Sequence, residues 1–188
     1  MISTGRSFHP MDGHDELGYG IRASKGFQHS LKPTFQGLAM CLDYSVLAFR
    51  KRMPVLDFLK EHIPGISLNI DFFRFRKDVE RALRGLRVNV THRLTRQKFV
   101  VSGLTKENSR RLKFPTEDPS RCEGGSHEIR LVEYFRDKYK MDIMYKDIPC
   151  LELGKSDRKN YVPMELCVLV EGQIFPKEQL DKNAAVFL

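Results

Sequence analysis

The chain reads as an α+β protein: a small open β-barrel of the OB or SH3-like kind with an inserted β-hairpin–helix module, preceded by a linker strand and two helices. Three observations predict it. From Leu86 onward, short period-two segments alternate with turn residues, giving about six short strands or more. One helical stripe, at 131–139, interrupts them. Two further helical stripes and one long alternating run come before them. Short strands with a closing helix are an architecture often used for single-stranded nucleic acid. With 188 residues, 41% of them hydrophobic, the chain is one domain, or one domain plus a fragment, and can bury a real core.

In chain order, residues 1–17 are polar and show no periodicity, so they read as an irregular lead-in. His9 and His14 lie there without further ligands, too little for a metal site. Residues 18–33 hold apolar islands among turn residues, a hairpin or an extended connector. From Leu38 to Phe49 one residue in two is apolar, with apolar residues on part of the second face. This is a long strand, read as running between bodies. Pro54 suits the first position of a helix. Val55, Phe58, Leu59 and Ile63 form its stripe, which ends at Pro64-Gly65. A second helix is predicted over 72–84, with Phe72, Phe75, Val79 and Leu83 inward, Arg74, Lys77, Arg81 and Arg84 outward, and Gly85 as its stop.

The period then changes. Leu86, Val88 and Val90 alternate, Leu94-Thr95-Arg96-Gln97 turns, and Phe99, Val101 and Gly103 return: a β-hairpin with a basic tip. Residues 105–130 are polar, with extended pieces near 112–114 and 128–130 and a turn at Glu123-Gly124-Gly125. They read as a second, irregular hairpin leading into the helix. Three strands are then expected, at 141–145, 150–153 and 161–168, with a basic loop at 154–159 and a turn at 171–173. Residues 176–187 read as a polar helix start or connector.

Charge and cysteines narrow the function. The formal net charge is +8, but residues 74–113 carry thirteen Lys or Arg against Asp78, Glu80 and Glu107. That segment is +10 and the rest of the chain −2. Basic residues interleaved with Phe72, Phe73, Phe75, Phe99 and Phe114 are the electrostatic footprint of a polyanion binder, as opposed to a merely solvated basic face. Cys41, Cys122, Cys150 and Cys167 form no C-x-x-C pair and read as reduced, mostly buried thiols. No stretch approaches the roughly 20 apolar residues of a membrane span. No apolar run flanked by positive charge opens the chain, so no signal peptide is expected, and a cytoplasmic or nuclear location is.

The densest chemistry lies in Glu133-Tyr134-Phe135-Arg136-Asp137-Lys138-Tyr139. Tyr134 and Lys138 are four residues apart on one helix face, and Phe135 and Tyr139 share the neighbouring face. Phenols and an ammonium suit a ligand that is apolar on its flat side and anionic at its edge, such as a nucleotide. The plainer reading is a half-buried amphipathic helix with tyrosines at its rim. Glu133, Asp137 and His127 lie close in sequence, but no ligand spacing supports metal-assisted hydrolysis. No cofactor or metal is expected, and no catalytic residues.

Gly20-Ile21-Arg22-Ala23-Ser24-Lys25-Gly26-Phe27-Gln28-His29-Ser30-Leu31-Lys32-Pro33, followed by Leu42-Asp43-Tyr44-Ser45, resembles the first linker of an Argonaute protein of the plant branch. Gly85-Leu86-Arg87-Val88-Asn89-Val90-Thr91-His92, Val132-Glu133-Tyr134-Phe135, Ile148-Pro149-Cys150-Leu151-Glu152-Leu153-Gly154 and Tyr161-Val162-Pro163-Met164-Glu165-Leu166-Cys167 resemble successive motifs of the PAZ domain that follows it. The blocks stand in the family's order and cover nearly everything from Gly18 onward. The resemblance implies an irregular segment at 1–17, the first linker at 18–53, a PAZ domain at 54–175 and the start of a second linker at 176–188.

The resemblance further implies that the chain binds the 3′ end of a small guide RNA in RNA silencing, in a cleft between the barrel and an inserted module spanning 104–140. Carried over by motif, the RNA-binding positions are His92, Arg96, Gln97, Lys98, Phe99, Phe114, Tyr134, Lys138, Tyr139, Arg158, Tyr161 and Val162. Its partners would be that 3′ end and the remaining Argonaute domains (N-terminal, MID and PIWI), with no membrane and a monomeric chain. Any RNA cleavage would belong to the PIWI domain. Two departures stand out. Phe99 occupies a position where tyrosine is common, so one hydroxyl contact to phosphate is lost. The turn after His92 is one residue shorter than in some relatives, leaving the basic role there to Arg96, Gln97 or Lys98. Val162 replaces a more usual leucine and keeps an apolar wall. The alternative is a structural inter-domain linker or interaction module with only non-specific polyanion binding.

Overall fold

The computed structural model describes residues 1–10, 12–13, 15–116, 127–154 and 160–176. It falls into two units, Met1–Arg52 with Val170–Leu188, and Met53–Leu169. The first is built on a hairpin of two fourteen-residue strands, β4 (Ile21–Thr34) and β5 (Gly37–Arg50), in unbroken register from Ile21↔Arg50 to Thr34↔Gly37. The alternating run at 38–49 is therefore paired along its whole length. Its turn is closed by the Thr34 hydroxyl, which donates to the Gly37 carbonyl at 2.7 Å. Because paired residues share a face, Phe27, His29 and Leu31 stand beside Tyr44, Leu42 and Met40. The outer half of that face is exposed at Leu31, Leu38, Met40 and Leu42.

Residues 1–17 are not irregular, which corrects the sequence reading. They hold β1 (Ile2–Thr4), β2 (Ser7–His9) and β3 (Asp15–Gly18). β1 pairs with β2, and both β2 and β3 pair with β4. Strands of three or four residues are too short to show a period, and their order comes from docking on a long neighbour. Gly26 permits that docking: a Cβ there would stand 2.3 Å from the Phe8 carbonyl oxygen and 2.5 Å from His9 Nδ1. His9 is fully buried, with Nδ1 3.0 Å from the Ser24 carbonyl oxygen, and acts as a core histidine. His14 lies outside the described residues.

The second unit opens with α1 (Val55–His62). Pro54 precedes it as the cap, and Val55, Leu56, Phe58 and Leu59 are buried along its stripe. The helix predicted over 72–84 is split. A 3-10 helix (Ile70–Phe75), whose start is capped by the Asn69 side chain accepting from the Asp71 N–H at 3.1 Å, gives way to α2 (Arg76–Leu83). The tighter turn buries Phe72 completely while leaving Phe73 largely exposed.

Gly85, at φ +82, turns the chain into β6 (Arg87–Val90), which pairs with β7 (Phe99–Asn108). Arg76 locks α2 to β7, donating to the Thr105 and Leu104 carbonyls at 2.8 and 3.0 Å. Leu104 pairs with Leu151 in the sheet, so the inserted module begins after Asn108 rather than at 104. It contains β8 (Lys113–Thr116), its partner β9 (His127–Arg130), and α3 (Leu131–Tyr139). α3 follows the predicted stripe, with Leu131 and Phe135 buried. It stops at Lys140, whose φ of +56 is a left-handed cap.

The sheet is completed by β10 (Pro149–Leu153), β11 (Asn160–Val162) and β12 (Cys167–Leu169), in the order β11-β10-β7-β6-β12. It is an open sheet rather than a closed barrel. Two expectations fail here. Residues 141–145 form no strand; the segment is held by buried Ile143 and by the Met144 N–H donating to the Glu165 carboxylate at 2.9 Å. The strand predicted at 161–168 is broken by Pro163, which has no N–H to continue a ladder, and by a 3-10 turn (Met164–Leu166). One core joins these elements: Val55, Phe58, Phe72, Val79, Val88, Leu151 and Leu153 pack in the same cluster as Leu131 and Phe135 of α3.

Leaving this unit, the chain adds β13 (Gln173–Ile174) to β5, completing the first sheet in the order β1-β2-β4-β5-β13. Ile21, Ala48 and Phe175 form the small core there. Arg22 pairs with Glu171 at 2.7 Å, and the Arg50 guanidinium lies 4.6 Å over the Phe175 ring, where burial lowers its pKa to about 10. Cys150 and Cys167 are buried free thiols and Cys41 a partly buried one; Cys122 is outside the described residues, as are 177–188.

Candidate nucleic-acid interface

α3 carries most of the site. Phe135 roots it in the core, so the next face of the helix must present Tyr134 and Lys138 outward, one turn apart. Lys138 Nζ donates to the Tyr134 hydroxyl at 2.9 Å. Tyr139, on the last turn, is half-buried, and its ring centroid lies 5.9 Å from that of Tyr134. His92, two residues past the end of β6, stands edge-on to both Tyr139 and Phe135, at 4.7 and 5.1 Å. Phe114 on β8 meets Tyr134 edge-on at 5.1 Å.

These side chains line a cavity of about 130 Å³ with Arg93, Asn160, Tyr161 and Val162. The structure therefore brings together six of the expected positions: His92, Phe114, Tyr134, Tyr139, Tyr161 and Val162. Lys138 joins them through its bond to Tyr134. Phe99 is buried on β7 and outside the lining, and Arg96, Gln97 and Lys98 are exposed on the connector between β6 and β7, also outside it. Arg158 falls in 155–159, outside the described residues. Sequence reasoning missed Arg93 and Asn160. Each stands directly beside a residue that was singled out, His92 and Tyr161, and strict strand alternation sends such neighbours to the opposite face. The irregular chain after β6 lets His92 and Arg93 border one cavity.

The electrostatics favour an anion. Among the described residues, no carboxylate lines the cavity. The hydrogen bond to Tyr134 is the first cause that raises the pKa of Lys138, and burial is the first that raises that of Tyr139. Both groups therefore keep their protons at neutral pH and stand as donors. His92 behaves in the opposite sense: burial, then the neighbouring Arg93 charge, lowers its pKa to about 4. A neutral imidazole faces the cavity, and its Nδ1 is buried with no hydrogen-bond partner among the described residues.

A pH test follows from this. Between about 6.5 and about 4 the unfolded chain holds a proton on this histidine and the folded chain does not. Stability is then present above pH 6.5 and falls as the pH drops toward 4. Urea titrations at pH 7.5, 6, 5 and 4.5 are expected to show that loss, with a shallower slope for His92→Gln. Equal slopes for the two proteins would contradict the buried neutral histidine.

What the arrangement can do is hold a flat apolar group and a phosphate together. Phe114 and Val162 offer apolar surface, while Tyr134, Tyr139, Tyr161, His92 and Lys138 are donors of the right kind.

Comparison with known proteins agrees with this chemistry. The family model of the PAZ domain matches residues 56–186, and that of the Argonaute linker 1 domain matches residues 3–51. Protein argonaute 2 of Oryza sativa subsp. japonica is 37% identical over 185 residues, spanning 97% of this chain and 17% of that protein. Protein argonaute 7 of Arabidopsis thaliana is 37% identical over 194 residues, spanning 97% of this chain and 18% of that protein. The chain thus spans less than a fifth of the length of these relatives. Among solved structures, Kluyveromyces polysporus Argonaute with a guide RNA superposes with a TM-score of 0.56 at 18% identity, over 93% of this chain and 21% of that one. The Drosophila Argonaute 2 PAZ domain, from work on 3′ end recognition of nucleic acids, does so with a TM-score of 0.51 at 23% identity, over 64% of this chain and 96% of that one. At these identities the two structures establish the fold.

Proposed function

This chain belongs to the Argonaute family, and from that premise we propose that its second unit captures the 3′ end of a small guide RNA, as a single-stranded end or a two-nucleotide 3′ overhang. The observation that carries the reading is the cavity itself: three phenols, a neutral histidine and the Arg93 guanidinium around the apolar surfaces of Phe114 and Val162, with no lining carboxylate among the described residues. A 3′ end presents a terminal base, a sugar and a last phosphate in one compact group. The base would lie against Phe114 and Val162, and the phosphate would take the donors of Tyr134, Tyr139, Tyr161 and His92. Stacking contributes about 1–3 kcal/mol per base. Charged hydrogen bonds add about 1.5–3 kcal/mol each before ordering costs. A micromolar complex needs about 8 kcal/mol. One base and a few phosphate contacts are enough for releasable capture, with little sequence preference because backbone and ring face are common to every end.

The chain is then a binding module, and cleavage by the longer parent would be the work of a PIWI domain. The test is a titration of two labelled RNA duplexes of equal charge, one with two-nucleotide 3′ overhangs and one with the same protrusions at its 5′ ends. Tighter binding of the 3′ overhang is expected at every salt concentration. Equal binding that fades together as salt rises would reduce the protein to a generic polyanion surface.

The first unit supports a second role. The exposed apolar side of the β4–β5 hairpin, with Leu31, Leu38, Met40 and Leu42, suits contact with the other domains of the parent chain, whose relatives are more than five times as long.

A further inference from the structure

Resting on the 3′-end reading above, we propose that Arg93 is the cation that clamps the last phosphate of the bound end, a role the family resemblance left to Arg96, Gln97 or Lys98. Four observations converge on it. Arg93 lines the cavity beside His92, Tyr134, Tyr139 and Tyr161, and the other three residues do not. It pairs with no carboxylate among the described residues, whereas three arginines of the neighbouring module are paired: Arg110 with Asp147 at 3.3 Å, Arg130 with Glu133 at 3.5 Å and Arg136 with Asp142 at 3.0 Å. Its positive charge adds to burial in holding the neighbouring His92 neutral, and the two side chains border one cavity with Tyr134 and Tyr139.

The fourth observation explains the phenylalanine. The Arg93 guanidinium lies 5.5 Å from the centroid of the Phe99 ring. A ring face attracts a cation at this distance and helps to hold it in place. Phe99 has no hydroxyl to offer the phosphate, and its ring instead supports a group that has several N–H donors. A guanidinium can grip two phosphate oxygens in parallel, which an ammonium cannot. The loss of one donor at position 99 is thus offset by a stronger donor at position 93.

The experiment titrates the 188-residue chain and its Arg93→Ala, Arg93→Lys, Arg96→Ala and Lys98→Ala variants with the 3′- and 5′-overhang duplexes. Arg93 is exposed, and its truncation leaves the core untouched. Arg93→Ala is expected to lower affinity for the 3′ overhang about tenfold or more, with a smaller loss for the 5′ overhang. Arg93→Lys recovers only part of it. Arg96→Ala and Lys98→Ala weaken both duplexes alike and by less. If the parent prefers the 3′ overhang and Arg93→Ala keeps both that preference and the affinity, the clamp is wrong and the 3′-end reading stands. If the parent shows no preference, both fall together.

Discussion

Tyr139→Ala is expected to weaken binding of a two-nucleotide 3′ overhang by about ten- to a hundredfold, the range set by one or two hydrogen bonds to a charged group. Tyr139 is the hub of the cavity. Its ring stands against His92, Tyr134 and Phe135, and Lys138 lies 5.9 Å from its centroid. Removing it takes away a donor and also lets His92 shift. Tyr139→Phe separates the two effects, since it keeps the ring and deletes only the hydroxyl. The phenylalanine variant should lose a smaller part, with unchanged salt dependence. Circular dichroism on each variant guards against a folding artefact. A folded Tyr139→Ala protein with the affinity of the parent would end the assignment of this cavity to the 3′ end.

The second large effect is on stability. Phe135→Ala is expected to cost about 3–5 kcal/mol, because the ring is 2% exposed and packs in the main core with Leu131. With a urea slope of about 1–3 kcal/mol/M, the midpoint should fall by roughly 2 M. Binding should fail along with it, since His92 leans on this ring from one side and Tyr134 and Tyr139 flank it on the same helix. The measurement is a urea curve followed by far-UV circular dichroism. A midpoint shift worth less than about 1 kcal/mol would mean that α3 is attached to the sheet by other contacts.

The same helix shows what could be read in advance and why. Leu131 and Phe135 are four apart and buried, and the polar tyrosine rim follows from that spacing, so the element, Tyr134 and Tyr139 were legible from the residues, whereas His92, Phe114, Tyr161 and Val162 came only from the family resemblance. β5 was equally plain, because an alternating run from Leu38 to Phe49 outlasts chance. The three strands that open the chain were not, since β2 and β3 are set by the long strand they pair with, and β1 by β2, and not by a pattern of their own. Pro163 could have warned that 161–168 was not one strand. Arg93 had no local signal: it borders the cavity because the chain after β6 brings two adjacent side chains, His92 and Arg93, to one cavity. Phe99 was read as a possible phosphate contact that had lost its hydroxyl, and it emerges as a buried ring beneath a cation.

The chain returns to β5 through β13 only after the whole second unit has been traversed. The second unit is threaded into the first as one very long loop, and joining the ends of such a loop in a random chain costs entropy that grows with the logarithm of its length. Here the ends are already brought side by side, by the Leu169 N–H donating to the Met53 carbonyl at 2.8 Å and the Gly172 N–H donating to the Arg50 carbonyl at 3.1 Å. Once the second unit has folded, β13 reaches β5 at almost no entropic cost. Until then, docking β13 carries the closure cost of the whole loop. Once closed, the short strand is held by the first unit itself, through the Gly172 and Phe175 N–H groups donating to the Arg50 and Ala48 carbonyls and through Phe175 in the small core, so backbone amide exchange at Gly172 and Phe175 would report the opening of that sheet edge.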